Sequence, residues 1–133
     1  MRIVLDTNVL IAAFIARGMC RELLEHCVRH HKLVTSEFIL NEFREKLTGK
    51  FKFTSAEANA AAALLQTRMI VVDPTGLNSP VCRDADDDNV LATAAAGNCD
   101  CIVTGDKDLL VLRRFSGIDI VSAGDFLEYE ASH

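Results

Sequence analysis

Apolar residues along this chain fall into two patterns. Short apolar runs at Arg2 to Leu5, Leu33 to Thr35, Met69 to Val72, Cys101 to Val103 and Ile118 to Val121 read as strands, most of them buried. Between them, apolar positions recur every three or four residues, the spacing of a helix with one face turned inward. This spacing predicts helices over Val9–Ala16 and Met19–His30, separated at Gly18. Ser36 is an N-cap candidate for a helix reaching Leu47, and Thr54-Ser55-Ala56-Glu57 is a capping-box pattern opening an alanine-rich helix to about Arg68. A loop holding both prolines, Pro74 and Pro80, runs to about Asp84. A helix from about Asp86 to Ala96 then stops at Gly97-Asn98. Short helices follow over Lys107–Arg113 and, capped by Ser122, over Asp125–Tyr129. Strands alternating with helices predict one α/β domain over residues 1–133, a single three-layer unit with a parallel sheet flanked by helices.

Two of these strands deliver an aspartate at their C-terminal ends, where open α/β sheets place their sites. Ile3-Val4-Leu5 runs into Asp6-Thr7-Asn8, and Cys101-Ile102-Val103 runs into Thr104-Gly105-Asp106. Helical phase sorts the remaining acids. In the helix after Ser36, the residues Ile39, Phe43 and Leu47 define the buried stripe. Glu42 falls on its shoulder, while Glu37 and Glu45 turn toward water. A carboxylate on the apolar side of a helix is costly unless it is paired or binds a cation, so Glu42 is either an ion-pair partner or a ligand. In Asp84-Ala85-Asp86-Asp87-Asp88, acids in a first helical turn suit the helix dipole, which accounts for one or two of them. Asp87 sits one turn before Leu91, near the middle of the inward face. Asp88 is the alternative, and Asp84 is a cap or support. Asp106 is the site candidate of its segment, with Asp108 read as decoration of the helix start.

Asp6, Glu42, Asp87 and Asp106 cannot share a pocket without repelling one another. A divalent cation resolves that, and all-oxygen ligands suit Mg²⁺ or Mn²⁺. Thr7, Asn8 and Thr104 would orient the acids or their waters. An open acidic site of this kind suits phosphodiester hydrolysis, because a bound cation generates hydroxide and clamps phosphate oxygens without a nucleophilic Ser or Cys. No glycine-rich phosphate loop is present.

Composition adds bounds to this picture. The 133 residues, half of them apolar and a quarter charged, suffice for one sizeable core. No apolar run approaches the ~20 residues of a membrane span, and the strand-like N-terminus does not read as a secretory signal. A net charge of −5 argues against a generally basic nucleic-acid binder but not against a nuclease, since metal-binding acids lower the total. Basic residues group at Arg44, Lys46, Lys50 and Lys52 and at Arg17, Arg21, Arg29 and Lys32, as solvated helix faces or a phosphate-contacting rim. Five cysteines without a CxxC pair read as free thiols in a reducing cytoplasm. Neither His26-Cys27-His30-His31 nor Cys99-Asp100-Cys101 has the spacing of a common structural zinc motif.

The segments Asp6-Thr7-Asn8, Glu42, Arg83-Asp84-Ala85-Asp86-Asp87-Asp88-Asn89-Val90-Leu91-Ala92 and Val103-Thr104-Gly105-Asp106-Lys107-Asp108-Leu109 together resemble the PIN domain. Within it the chain is most similar to toxin components of toxin–antitoxin systems of the VapC type. The resemblance covers nearly the whole chain in order. It implies a parallel five-stranded sheet in the order 3-2-1-4-5 and Mg²⁺- or Mn²⁺-dependent endoribonuclease activity. It further implies a cognate antitoxin and homodimers. The family's acidic quartet carries onto Asp6, Glu42, Asp87 and Asp106, with Ala92-Thr93-Ala94 selecting Asp87 over Asp88. One Tyr and no Trp offer little base stacking. Three other readings are weaker. A haloacid-dehalogenase-type phosphatase needs an Asp where Asn8 stands, and a receiver domain would use Asp73 and leave Asp87 and Asp106 unexplained. A PIN-like domain could also serve only to dock RNA or protein.

Overall fold

The computed structural model describes residues 1–77 and 79–133. Its centre is two short strands whose apolar side chains are all buried. In β1 (Arg2–Leu5), Ile3, Val4 and Leu5 are at most 2% exposed, and in β4 (Cys101–Val103) all three residues are fully buried. Successive strand residues point to opposite faces, so burial of both sets requires cover on both sides of the sheet.

The cover comes from the helices between the strands. After β1 come α1 (Thr7–Ile15) and α2 (Met19–His30), then β2 (Lys32–Ser36) and α3 (Glu37–Gly49). Next are α4 (Ser55–Gln66), β3 (Ile70–Val72) and, past the proline loop, α5 (Ala85–Ala96), which leads into β4. The chain closes with α6 (Lys107–Leu110), β5 (Arg114–Phe115), β6 (Ile118–Val121) and α7 (Phe126–Ala131). Phe43, Leu47 and Leu40 of α3, Leu91 of α5 and Phe126 of α7 are fully buried against this sheet. Each contributes roughly 1.5–3 kcal/mol of hydrophobic stabilisation.

The sheet runs β3-β2-β1-β4-β6-β5, with every pair parallel except the last. Its first five members keep the expected order, so the chain moves outward from β1 to one side and returns to the other side at β4. The gap beyond β1 and β4 is therefore the crevice where strand order reverses.

Among the described residues the sheet has six strands, not the expected five. Arg114 and Phe115 pair antiparallel with Asp119 and Ile118 as a small edge strand. The two-residue connection Ser116-Gly117 has φ of 49° and 81°, the positive values that tight hairpin turns require. The same hairpin shortens the helix expected to reach Arg113. It ends at Leu110, and Arg113 turns left-handed at φ 60° to enter β5. Ser36 also departs from expectation. It occupies the N-cap position of α3, yet its hydroxyl makes no capping bond and instead pairs with Thr93 Oγ1 of α5 at 2.7 Å. The Thr54 capping box forms in full: Thr54 Oγ1 accepts from Glu57 N–H at 3.1 Å, and Glu57 accepts from Thr54 N–H at 2.8 Å. Among the described residues no helix is long and apolar enough to cross a membrane.

Candidate metal centre

Asp6 is the fixed point of the crevice. Leaving β1, it caps α1, and its Oδ1 accepts from Thr7 N–H at 2.7 Å. Its Oδ2 accepts from Thr104 Oγ1 at 2.7 Å, and Thr104 in turn accepts from the backbone N–H of Asp106 at 3.0 Å. One buried hydroxyl thus ties the end of β1 to the segment beyond β4. The two strand ends are also joined through the backbone, with Asp6 N–H donating to Val103 at 2.9 Å. Asp6 is 4% exposed. Burial pushes its carboxyl above the usual range, while Thr104 and the Thr7 N–H hold it back and Asp106 adds to the rise.

Asp87 reaches the same crevice from the first turn of α5. It is 6% exposed, as its helical phase predicts, and Asp86 is exposed. Its Oδ2 is buried with no hydrogen-bond partner among the described residues. A buried carboxylate oxygen without a donor is costly unless a proton or a cation meets it. Its pKa is pushed up to about 7, first by burial, then by the charges of Asp106, Asp6 and Asp84. Asp87, Asp106 and Asp108 present carboxylate oxygens within 4.8 Å of one another.

The neighbouring acids take separate tasks. Asp84 caps α5, accepting from Asp86 N–H at 2.9 Å. Asp88 accepts from the N–H groups of Val81 and Cys82, at 3.3 and 2.8 Å, and so anchors the end of the proline loop. Asp106 caps α6 through Oδ1, which accepts from Asp108 N–H at 2.8 Å. Asp108, read from sequence as decoration of a helix start, joins the Asp87–Asp106 group and pairs with Arg83 at 2.8 Å.

Glu42 stands on the side of the crevice formed by α3, outside that three-acid group. It is half-buried on the shoulder of the Ile39–Phe43–Leu47 stripe and makes no ion pair within 4.0 Å among the described residues. Burial raises its pKa, the Thr7 hydroxyl and Lys46 ammonium oppose the rise, and Asp86 adds to it. The Thr7 hydroxyl itself is buried and meets no partner in hydrogen-bonding geometry. Lys46, one turn on from Glu42, donates to Asn8 Oδ1 at 2.8 Å.

Sequence reasoning passed over two neighbours of these acids. Asp86 faces Glu42 across a narrow cleft that Phe38, Asn89 and Val90 complete. Arg83 brings a cation to Asp108 from the loop before α5. Neither has a periodic signal, because one depends on the approach of α3 to α5 and the other on a loop. The basic rim is narrower than the sequence allowed. Arg21 is committed to the carbonyls of Ala13 and Phe14, and Arg44 to Asn41 and Glu37, while Lys46 stands beside the acids together with Arg83, which lies outside both basic groups. Asp73, the receiver-type candidate, lies exposed beyond β3 among Glu37, Phe38 and Asn41.

Comparison with known proteins agrees with this fold. A chain from Methanocaldococcus jannaschii, an uncharacterized protein, is 34% identical over 119 residues, covering 84% of this chain and 75% of that protein. Among solved structures, VapBC2 from Rickettsia felis, bound to a DNA fragment from its promoter, superposes with a TM-score of 0.66 at 15% identity. That match covers 92% of this chain and 98% of the other. VapBC-1 from nontypeable Haemophilus influenzae gives a TM-score of 0.65 at 17% identity, covering 93% and 99% of the two chains. At such identities the likeness speaks for the fold. Residues 2–108 match the family model of the PIN domain, a span that runs from β1 through every acid of the crevice, and the chain belongs to the PIN domain family.

Proposed function

We propose that this protein is a metal-dependent endoribonuclease and the toxin of a toxin–antitoxin pair. The observation that carries the reading is the orphaned Oδ2 of Asp87, buried beside Asp106 and Asp108 in a pocket that also holds Asp6. Carboxylates crowded this way, one of them without a donor, fit a cation with oxygen ligands, and Mg²⁺ or Mn²⁺ is the matching class. Asp6, Asp87 and Asp106 would hold it, Glu42 would engage it from the side of α3, and Asp108 is the alternate ligand.

The cation's part is to lower the pKa of a water and neutralise charge on the phosphate. The residues of the chain do the rest. Thr104 keeps Asp6 and the Asp106 backbone in one register, so the ligands are set before substrate arrives. Glu42, its pKa raised by burial, is suited to hold or accept a proton at the attacking water. Lys46 and Arg83, at opposite margins of the acids, are placed to meet phosphates on either side of the scissile bond.

A cognate antitoxin partner is supported by the VapBC complexes among the structural neighbours. A homodimer is the second proposed contact, and exposed Phe38, Ile70 and Val71 offer apolar surface for protein association. Five free cysteines, three of them buried, suit the reducing cytoplasm.

The test is incubation of the purified full chain with a panel of labelled single-stranded and hairpin RNAs in Mn²⁺, Mg²⁺ or EDTA. Discrete cleavage that depends on the cation and stops in EDTA is expected. Binding without cleavage in both metals would make the protein a docking module, and cleavage that survives EDTA would remove the cation from the chemistry.

A further inference from the structure

A second group of ligand-type side chains lies at the opposite end of the sheet from the acids. His26 comes from the last turns of α2, His31 from the single residue between α2 and β2, and Glu130 from α7, almost 100 residues further along the chain. One nitrogen of each histidine and one oxygen of Glu130 lie within 4.8 Å of one another. His26 Nε2 is 2.7 Å from Glu130 Oε2, and His31 Nε2 contacts the same oxygen. This is the cluster that spacing alone left without meaning, since its third member is far away in sequence.

The fold builds the group deliberately. His30 ends α2 and His31 is extended, at φ −136° and ψ 177°, so its ring swings away from the helix toward α7. The Met1 backbone nitrogen, 3.0 Å from His31 Nδ1, and the buried Phe126 ring, edge-on at 6.0 Å, hold that imidazole with Nε2 toward Glu130. The His31 side chain is 10% exposed, against 32% for His26 and 25% for Glu130, so the group is walled on the His31 side and open to water on the other. His30 lies tilted against His26 with centroids 4.7 Å apart but does not join the group. Cys27, the next residue to His26, is fully buried and stays a thiol, its pKa pushed up to about 12 chiefly by burial.

Two imidazoles and one carboxylate converging on a point are a donor set for borderline divalent metals, with the open side free for water. Ligand atoms around a tetrahedral zinc with bonds of ~2.0–2.1 Å stand about 3.3 Å apart. His26 Nε2 and Glu130 Oε2 are 2.7 Å apart and all three donor atoms lie within 4.8 Å of one another, so small side-chain rotations that part the Glu130 contacts would reach that value. Both Nε2 atoms meet the same oxygen of Glu130, so two hydrogen bonds to one carboxylate already gather the three donor groups where a cation could replace the shared protons. Nitrogen donors also separate this group chemically from the all-oxygen crevice.

We propose that His26, His31 and Glu130 form a second cation site, for Zn²⁺ or a similar first-row divalent metal, that pins α7 to the end of α2 and the start of β2. Its role is structural, at the N-terminal ends of the strands, far from the acids that follow their C-terminal ends.

The test uses the full chain stripped with EDTA and titrated with Co²⁺, a coloured stand-in for Zn²⁺, with excess Mg²⁺ present to occupy the acidic crevice. One equivalent of Co²⁺ should bind with the intense visible absorption of a low-coordinate nitrogen-containing site, and Zn²⁺ should bleach it. Asp6→Asn should leave this signal intact. His26→Gln and Glu130→Gln, which keep side-chain size, should each weaken binding at least ~10-fold. They should also lose the Zn²⁺-dependent rise in melting temperature. A titration with no such absorption overturns the site, as does a signal that survives both Gln variants or disappears in Asp6→Asn.

Discussion

Asp87 concentrates the electrostatics of the crevice. Its folded-state pKa of about 7 stands above the ordinary value of 3.8, so without metal the folded protein keeps a proton that the unfolded chain releases. Stability from this group is present in full below pH ~4 and is lost as pH rises through ~7. The melting temperature of the metal-free protein in EDTA should therefore decline over that interval. Asp87→Asn should flatten the decline and be the more stable protein at pH 8. Parallel curves for the two proteins would show that Asp87 does not carry the strain. The neighbouring acids should separate by role. Asp87→Asn should remove at least ~100-fold of metal-dependent cleavage, beyond the 10–100-fold typical of a residue that only orients a ligand. Asp88→Ala should instead cost about 1 kcal/mol of stability, read from a urea midpoint, because Val81 and Cys82 lose their acceptor. Equal activity losses in the two variants would defeat that division. Thr104→Val should cost 10–100-fold in cleavage, because Asp6 and Asp106 lose their common tether.

At the scale of elements, two substitutions probe what holds the frame without touching the acids. Gly97 closes α5 against β2, and a Cβ there would stand 2.6 Å from Val34 Cγ1. Gly97→Ala should cost ~1–3 kcal/mol of stability by overpacking. Thr54→Ala should cost about 1 kcal/mol by deleting the cap of α4. Both should leave activity per folded molecule unchanged in denaturation and cleavage measurements. The continuous apolar runs, Ile3–Leu5 of β1 and all of β4, were legible in the sequence because burial on both faces leaves no polar alternation to confuse them, and β6 was legible from Ile118, Ile120 and Val121 around Asp119. The α5 phase argument also carried, since a helix with Val90, Leu91 and Ala94 buried admits one inward aspartate in its first turn. What stayed hidden depends on tertiary approach. β5 has two residues and no periodicity, and Ser36 gave its hydroxyl to Thr93 of another helix rather than to its own. Asp108 reads as a helix-start acid in sequence and is one, yet the tight turn beyond β4 also carries it to Asp87.

At the scale of the molecule, the topology explains why four distant segments meet. The strand order reverses between β1 and β4, so Asp6 and Asp106 leave adjacent strands into one crevice, and α5 and α3 deliver Asp87 and Glu42 to its edges. With a net charge of −5, and Lys46 and Arg83 beside the acids, the proposed function has substrate capture depend on the cation and on few phosphate contacts. Affinity for RNA in the absence of metal should accordingly be weak and change little with salt, a filter-binding measurement, and a steep salt dependence would point to a basic surface elsewhere. The central claim is that the buried carboxylates act through a bound divalent cation. It is tested most directly by cleavage of one RNA in Mn²⁺ by the wild-type protein and by Asp6→Asn, with circular dichroism confirming that both are folded. The account predicts cation-dependent cleavage by the first and none by the second. Equal cleavage by the two folded proteins would contradict it.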